Sequence, residues 1–282
     1  MAETQEKKPR RLVLRVTAVV LALMLAGGLV FWVTLPSVDW LKKQNPKETA
    51  MMRFRAEQAR QNGKRARRIW RRVPLSRISP YLIQAVLIAE DDKFFEHEGF
   101  DWQSMRKALE ANIQRKRVLR GGSTITQQLA KNLFLDPGQT LTRKLREAAI
   151  AVKLENTLSK KRILELYLNL IEWGAGIYGA EAAAQSYFNC PASGLSLSQA
   201  IRLASVLPNP RRFSALDTAS ARMNRKRRII AGRMLRRHWI QPEAYDQALV
   251  EMGLAPAPAV ITPDTAPSTT PPDPSASGRT RP

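Results

Sequence analysis

Glu90 and Glu147 are the two acidic residues whose neighbours could give a carboxylate chemical work. Glu90 comes four residues after Val86 and seven after Ile83, so on a helix it continues an apolar stripe instead of facing water. Desolvation there penalises the charged form, raises the pKa and suits the group to move a proton near neutrality. Glu147 precedes Ile150, Ala151 and Leu154 on its own helical face, one turn after Arg143 and beside Lys144. Two carboxylates on different helices that open into one cleft suit glycosyl chemistry, one handling a proton and the other balancing positive charge. Lys131, Arg143 and Lys144 could neutralise a phosphate leaving group, and Gln127, Gln128 and Asn132 could hold sugar hydroxyls. Each also has a plainer reading, as a helix-end glutamate turned to solvent or as exposed helix cations and amides. His97 reads as a surface or capping histidine and is given no proton-transfer role.

The elements that must position these residues are helical. Ser79-Pro80 is a cap followed by a favourable first helical residue, ahead of Leu82, Ile83, Val86 and Leu87 on one face. Gly121-Gly122 breaks the chain, and Thr124 and Gln127 then have capping-box spacing for a helix reaching Phe134. Asp136-Pro137-Gly138 ends it. A long apolar segment runs from Leu141 to about Leu158, and Ser159 caps another that carries Ile163, Leu164, Tyr167, Leu168 and Ile171. Further helices are expected over 179–188, 198–207, 218–238 and 242–252. Sustained alternation of the β-strand kind is missing, so the expected fold class is all-α.

Composition narrows the class. The 46 Lys and Arg against 24 Asp and Glu leave a net charge of +22, which points to polyanions: nucleic acid, anionic membrane or a phosphorylated substrate. The single cysteine, Cys190, rules out an intrachain disulfide framework, and with only His97 and His238 beside it a Cys/His zinc site is not expected. Val16 to Leu35 is an uncharged stretch of twenty residues, about 30 Å as a helix, which reads as an uncleaved membrane span. Lys7, Lys8, Arg10, Arg11 and Arg15 precede it and place residues 1–15 in the cytoplasm, with everything after Pro36 outside. Residues 36–72 read as a basic membrane-proximal connector, 73–254 as the folded domain and 255–282, with eight prolines, as a disordered tail. Residues 101–120 mix Trp102, Met105, Leu109, Ile113, Val118 and Leu119 with six cations, as a lipid-contacting segment or an ordinary amphipathic helix would.

Four blocks in order carry a resemblance. They are Glu90-Asp91-Asp92-Lys93-Phe94-Phe95-Glu96-His97-Glu98-Gly99-Phe100, Gly121 through Asn132 (GGSTITQQLAKN), Arg143-Lys144-Leu145-Arg146-Glu147, and Ile163-Leu164-Glu165-Leu166-Tyr167-Leu168-Asn169. Together they resemble the signature of the peptidoglycan glycosyltransferases over residues 73–215, and Leu207-Pro208-Asn209-Pro210 fits as well. The resemblance implies a lysozyme-like α-helical head with a smaller membrane-associated jaw. It implies polymerisation of lipid II into β-1,4-linked glycan, with inversion and loss of undecaprenyl pyrophosphate. By the same resemblance Glu90 is the base for the acceptor hydroxyl. Glu147 organises the donor pyrophosphate and a divalent cation, Mg2+ or Mn2+. Lys131, Arg143 and Lys144 contact the pyrophosphate, Thr124, Gln128 and Asn132 line the cleft, and Asp91 and Phe94 of the first block also belong to the substrate site, either shaping it or taking part in the reaction. The implied partners are lipid II, the growing lipid-linked strand and membrane lipids, with other cell-wall synthases as further candidates and no nucleic acid. The implied location is the bacterial inner membrane, single-pass, with the catalytic domain outside the cytoplasm.

Two features depart from or imitate known patterns. Asn189-Cys190 follow Tyr187-Phe188 where many relatives carry Gly-Lys, which removes one basic contact. Ser104 to Lys107 has S-x-x-K spacing, but no Lys-Thr-Gly follows, so a transpeptidase module is not expected. Two other readings compete. A lysozyme-like hydrolase would use the same carboxylates with water as acceptor, but it has no need of cations beside them or of an anchor. A membrane-anchored nucleic-acid-binding protein would need stacking aromatics among its cations.

Overall fold

A computed structural model describes residues 7–114, 122–138, 140–207 and 209–254. The Pro-rich stretch 255–282, Gly121, Val118, Leu119 and Pro208 therefore lie outside the described residues. So do the side chains of Lys7, Lys8, Arg10, Arg11 and Leu109.

The first helix, α1 (Lys7–Val33), contains a window, Leu12–Val33, that is long and apolar enough to cross a membrane, with a mean hydropathy of 2.4 and no residue buried against the rest of the chain. Its helical backbone stops two residues short of the expected Leu35, and Leu35 with Val38 and Leu41 turns into the hydrophobic core. The connector is consequently packed, not loose. It includes α2 (Ala50–Gln61), capped by the Thr49 hydroxyl, which accepts from the Met52 amide at 3.1 Å, and α2 lies against α5.

The central helices follow their apolar stripes. In α3 (Pro80–Glu90) the side chains of Leu82, Ala85, Val86 and Ile88 are buried, each large one contributing about 2 kcal/mol of transfer free energy. Next come α4 (Trp102–Gln114), α5 (Ile125–Phe134), α6 (Leu141–Thr157) and α7 (Lys160–Leu170). They are followed by α8 (Ala180–Phe188), α9 (Leu197–Val206), α10 (Ala221–Arg236) and α11 (Pro242–Glu251). Packing is pairwise: α3 on α9, α5 between α6 and α7, and α10 over both α3 and α9. Serine or threonine hydroxyls cap α5, α6, α7, α9 and α10, each accepting from a backbone amide of the first turn.

Sequence periodicity does not reveal a small sheet made of β1 (Ile69–Trp70), β2 (Glu172–Gly174) and β3 (Ile177–Tyr178), in the order β1-β3-β2. β1 runs parallel to β3, with Ile69 opposite Ile177, and β2 is antiparallel to β3. Strands of two or three residues are too short to show alternation. They strap the connector to the head without changing its all-α class. On α4, Trp102 and Ile113 are 70% and 66% exposed, and Leu141 and Leu145 at the start of α6 are exposed too.

Candidate active site

Glu90 is the last residue of α3, where the helix delivers its side chain between α5 and α10. The carboxylate is only 7% exposed and takes two donors: Nε2 of Gln128 at 3.1 Å to Oε2, and Nζ of Lys226 at 3.5 Å to Oε1. Burial raises its pKa above the ordinary carboxylate value, against the opposing pull of Lys226, the Gln128 hydrogen bond and Lys131. Behind Gln128, the buried hydroxyl of Tyr167 donates to Oε1 of that amide at 3.0 Å, which fixes the amide so that its nitrogen faces Glu90. Burial first, then Glu90 and Asp91, hold the Tyr167 phenol well above its usual pKa, so it stays a neutral donor.

Two cavities of about 500 and 540 Å3 meet at this carboxylate, and both are lined by Ala89, Glu90, Ser123 and Lys226. The first continues past Gln128, Lys131 and Asn132 to Arg55 and Glu172, and the second past Asp91, Lys93 and Thr124 to Lys107 on α4.

Around the cleft, several expected residues turn out to position other groups. Asp91 is buried; its Oδ1 lies 2.9 Å from His97 Nε2, and its Oδ2 accepts from the Ile125 amide at 3.0 Å, at the start of α5. The Thr124 hydroxyl donates to the Gly99 carbonyl at 2.8 Å and accepts from the Gln127 amide, while Gln127 completes the capping box. Thr124 and Gln127 are thus occupied in holding the 91–100 loop and the helix start, and Gln127 is too buried to reach a sugar. Phe94 lies in the core with the Lys160 ammonium 4.6 Å from its ring centre. Asn132 lines the first cavity while its amide donates to the Gln128 carbonyl at 2.8 Å.

Glu147 is 3% exposed and is held by both neighbouring cations: Arg143 donates to Oε2 at 2.7 Å, and Lys144 reaches Oε1 while also bonding Ser123 Oγ at 3.0 Å. It does not itself line either cavity, so the two carboxylates do not face each other across open space. Lys131 links them: burial lowers its pKa, and Glu147 and then Glu90 counter that shift. Arg143 Nε is buried with no hydrogen-bond partner, a donor beside the Lys131 group.

Glu147 does not fit the centre of a protein-built metal site. Both of its oxygens already accept from cations, and among the described residues no group of three or more His, Cys, Asp or Glu side chains could hold an ion. A divalent cation would have to rely on substrate phosphates for most of its ligands.

Lys226 is the main functional residue that sequence reasoning missed. It sits in Arg222-Met223-Asn224-Arg225-Lys226-Arg227-Arg228, a run that reads as a solvated helix face, and only tertiary packing aims it at Glu90 and the Leu207 carbonyl. Arg55 and Glu172, 3.4 Å apart, carried no signal either.

Comparison with known proteins identifies the family. The family profile described as Transglycosylase matches residues 56–235. A "Biosynthetic peptidoglycan transglycosylase" of Nitrosospira multiformis is 47% identical over 204 residues, covering 72% of this chain and 88% of the relative. The protein of the same name from Azoarcus sp. is 51% identical over 178 residues, covering 62% and 76%. The one from Chromobacterium violaceum is 44% identical over 222 residues, covering 78% and 96%. The helical head is the lysozyme-like fold of that domain. The chain belongs to the peptidoglycan transglycosylase family.

Proposed function

We propose that this transglycosylase polymerises lipid II into β-1,4-linked glycan by a single inverting displacement, with Glu90 as the general base. The observation that carries the reading is that Glu90, buried and raised in pKa, stands where two cavities meet. A donor sugar in the first cavity would have its leaving pyrophosphate near Lys131, with the Arg143–Lys144 pair behind. An acceptor sugar in the second would present its 4-hydroxyl to Glu90. As the acceptor oxygen bonds to the anomeric carbon, its proton passes to Glu90, and the carbon–oxygen bond to pyrophosphate breaks with its electron pair on the leaving group. Lys226 and Gln128 hold the two carboxylate oxygens in place for that transfer.

A retaining route would need a second free carboxylate as nucleophile, and Glu147 is bound by two cations away from the cavity walls. In this reading Glu147 orders the cations that meet the pyrophosphate. Thr124 and Asp91 line the second cavity, and Phe94 shapes the site from behind. The apolar α1 is the single-pass anchor that keeps the enzyme beside its polyprenyl substrate, with the head outside the cytoplasm.

Labelled lipid II given to the purified full-length protein should yield long glycan and free undecaprenyl pyrophosphate. Finished cell wall should remain insoluble. Solubilised wall with no polymer would establish a hydrolase instead.

A further inference from the structure

The first cavity borders a further groove at Arg55 and Glu172. This groove, of about 540 Å3, is also lined by Lys64, Arg65, Arg67 and Arg211. Five cations and one carboxylate therefore line this groove, which shares the Arg55–Glu172 pair with the catalytic cleft. Glu172 is already engaged, 3.4 Å from Arg55 and 4.0 Å from Arg211. Among the described residues Lys64, Arg65 and Arg67 have no ion-pair partner, whereas adjacent Arg68 pairs with Glu48 at 2.7 Å. These cations thus line the groove from the segment that leads into β1.

This basic edge is built, not loose. The Ile69 amide donates to the Gly176 carbonyl at 2.8 Å, and β1 pairs with β3 immediately afterwards. Gly176 has φ +72°, and a Cβ there would meet the Arg67 carbonyl oxygen at 2.3 Å, so only glycine allows the strand to lie this close. Among the described residues no large exposed apolar side chain lines the groove, and Ile69, 39% exposed, is the one at its edge. The large exposed apolar residues Trp102, Ile113, Leu141 and Leu145 belong to α4 and α6, and none of them lines it.

The geometry points to this groove as a subsite for the carboxylates of the peptide branches carried by the donor glycan strand. The inference rests on the proposed function, because a donor sugar held at Glu90 in the first cavity would extend its older residues along Arg55 and Glu172 into the groove. Carboxylates spaced along a strand would find charge-assisted hydrogen bonds from Arg65, Arg67 and Arg211 there. Such contacts would retain the strand between additions and so lengthen the product.

The test compares full-length protein with the Arg65→Ala/Arg67→Ala double variant. Two substrates are used, lipid II with free peptide carboxylates and lipid II with those carboxylates amidated. The wild type should make strands roughly ten-fold longer from the free acid. The double variant should make equally short strands from both, with the initial coupling rate within about two-fold of wild type and an unchanged melting temperature. A soluble muramyl peptide with free carboxylates, titrated by NMR, should bind wild type more tightly than its amidated form and lose that preference in the double variant.

A double variant that keeps the length difference, or one that loses coupling rate equally on both substrates, would overturn the subsite. So would a muramyl peptide preference that survives the substitutions while binding to phosphatidylglycerol vesicles falls. A wild type that binds the muramyl peptide selectively yet polymerises neither lipid II would contradict the proposed function and leave an acidic-peptide groove.

Discussion

Lys226 Nζ lies 3.5 Å from Glu90 Oε1 across 136 residues of sequence, and the same ammonium also reaches the Leu207 carbonyl. One cation from α10 therefore ties Glu90, the proposed base at the end of α3, to the C-terminal end of α9. Burial lowers the Lys226 pKa and raises that of Glu90, so each group supports the charge of the other against a desolvation cost.

Lys226→Met should move the acid limb of the rate profile to higher pH. The substitution removes the largest influence that lowers the Glu90 pKa, so the base stays protonated over a wider acidic range. At neutral pH the rate should fall on the order of ten-fold, the equivalent of about 1.4 kcal/mol for one buried charged contact. The pH dependence of lipid II consumption checks this; an acid limb that stays in place or moves down would refute it.

Tyr167→Phe removes the donor that orients Gln128. The fold should lose about 1 kcal/mol, and Gln128 can then rotate and present its oxygen to Glu90. A rate loss of roughly three- to ten-fold with nearly unchanged donor-analogue binding is expected. Chemical denaturation and steady-state kinetics on the same preparation measure both parts.

The two glutamates should respond to glutamine with opposite signs in stability. Glu90 has a raised folded pKa, so its contribution is present below the unfolded pKa and lost as pH rises through the folded value. Above that value Glu90→Gln should be more stable than wild type, by on the order of 1 kcal/mol, with the advantage shrinking toward acid pH. Glu147→Gln instead strands Arg143 and Lys144 beside a buried neutral amide, and should cost about 2 kcal/mol. Melting curves of both variants across pH decide the matter.

What the sequence could reveal divides along physical lines. Features set within one turn of helix were legible: the Thr124–Gln127 capping box, Pro80 at its helix start, and Glu90 following Val86 on a buried stripe. Pairings across distant elements were not. Lys226 sits among arginines that all read as solvent-facing. Its role comes from where α10 crosses α3, a contact that no local pattern encodes. The same reason hid the connector: Leu35, Val38 and Leu41 look like the frayed end of a membrane span until they enter the core. Thr124 lines the second cavity as the resemblance implied, but its hydroxyl also holds the Gly99 carbonyl, a second role that side-chain type does not reveal.

Thr124→Ala should cost about 1 kcal/mol through loss of the cap and should loosen the loop that carries Asp91 and His97. Hydrogen exchange at the Ile125 and Gln127 amides should speed up while exchange in α9 is unchanged. Uniform acceleration across the head would mean that the cap serves global stability alone.

The central claim is that Glu90 takes the acceptor's proton. The most direct measurement is the turnover of labelled lipid II by Glu90→Gln alongside the binding of a non-reacting donor analogue. The account predicts a loss of about 10²–10⁴-fold in turnover with analogue affinity largely kept, since glutamine preserves shape but not basicity and keeps an acceptor for only one of the two donors, Gln128 and Lys226. Near wild-type turnover, or a defect confined to analogue binding, would contradict it.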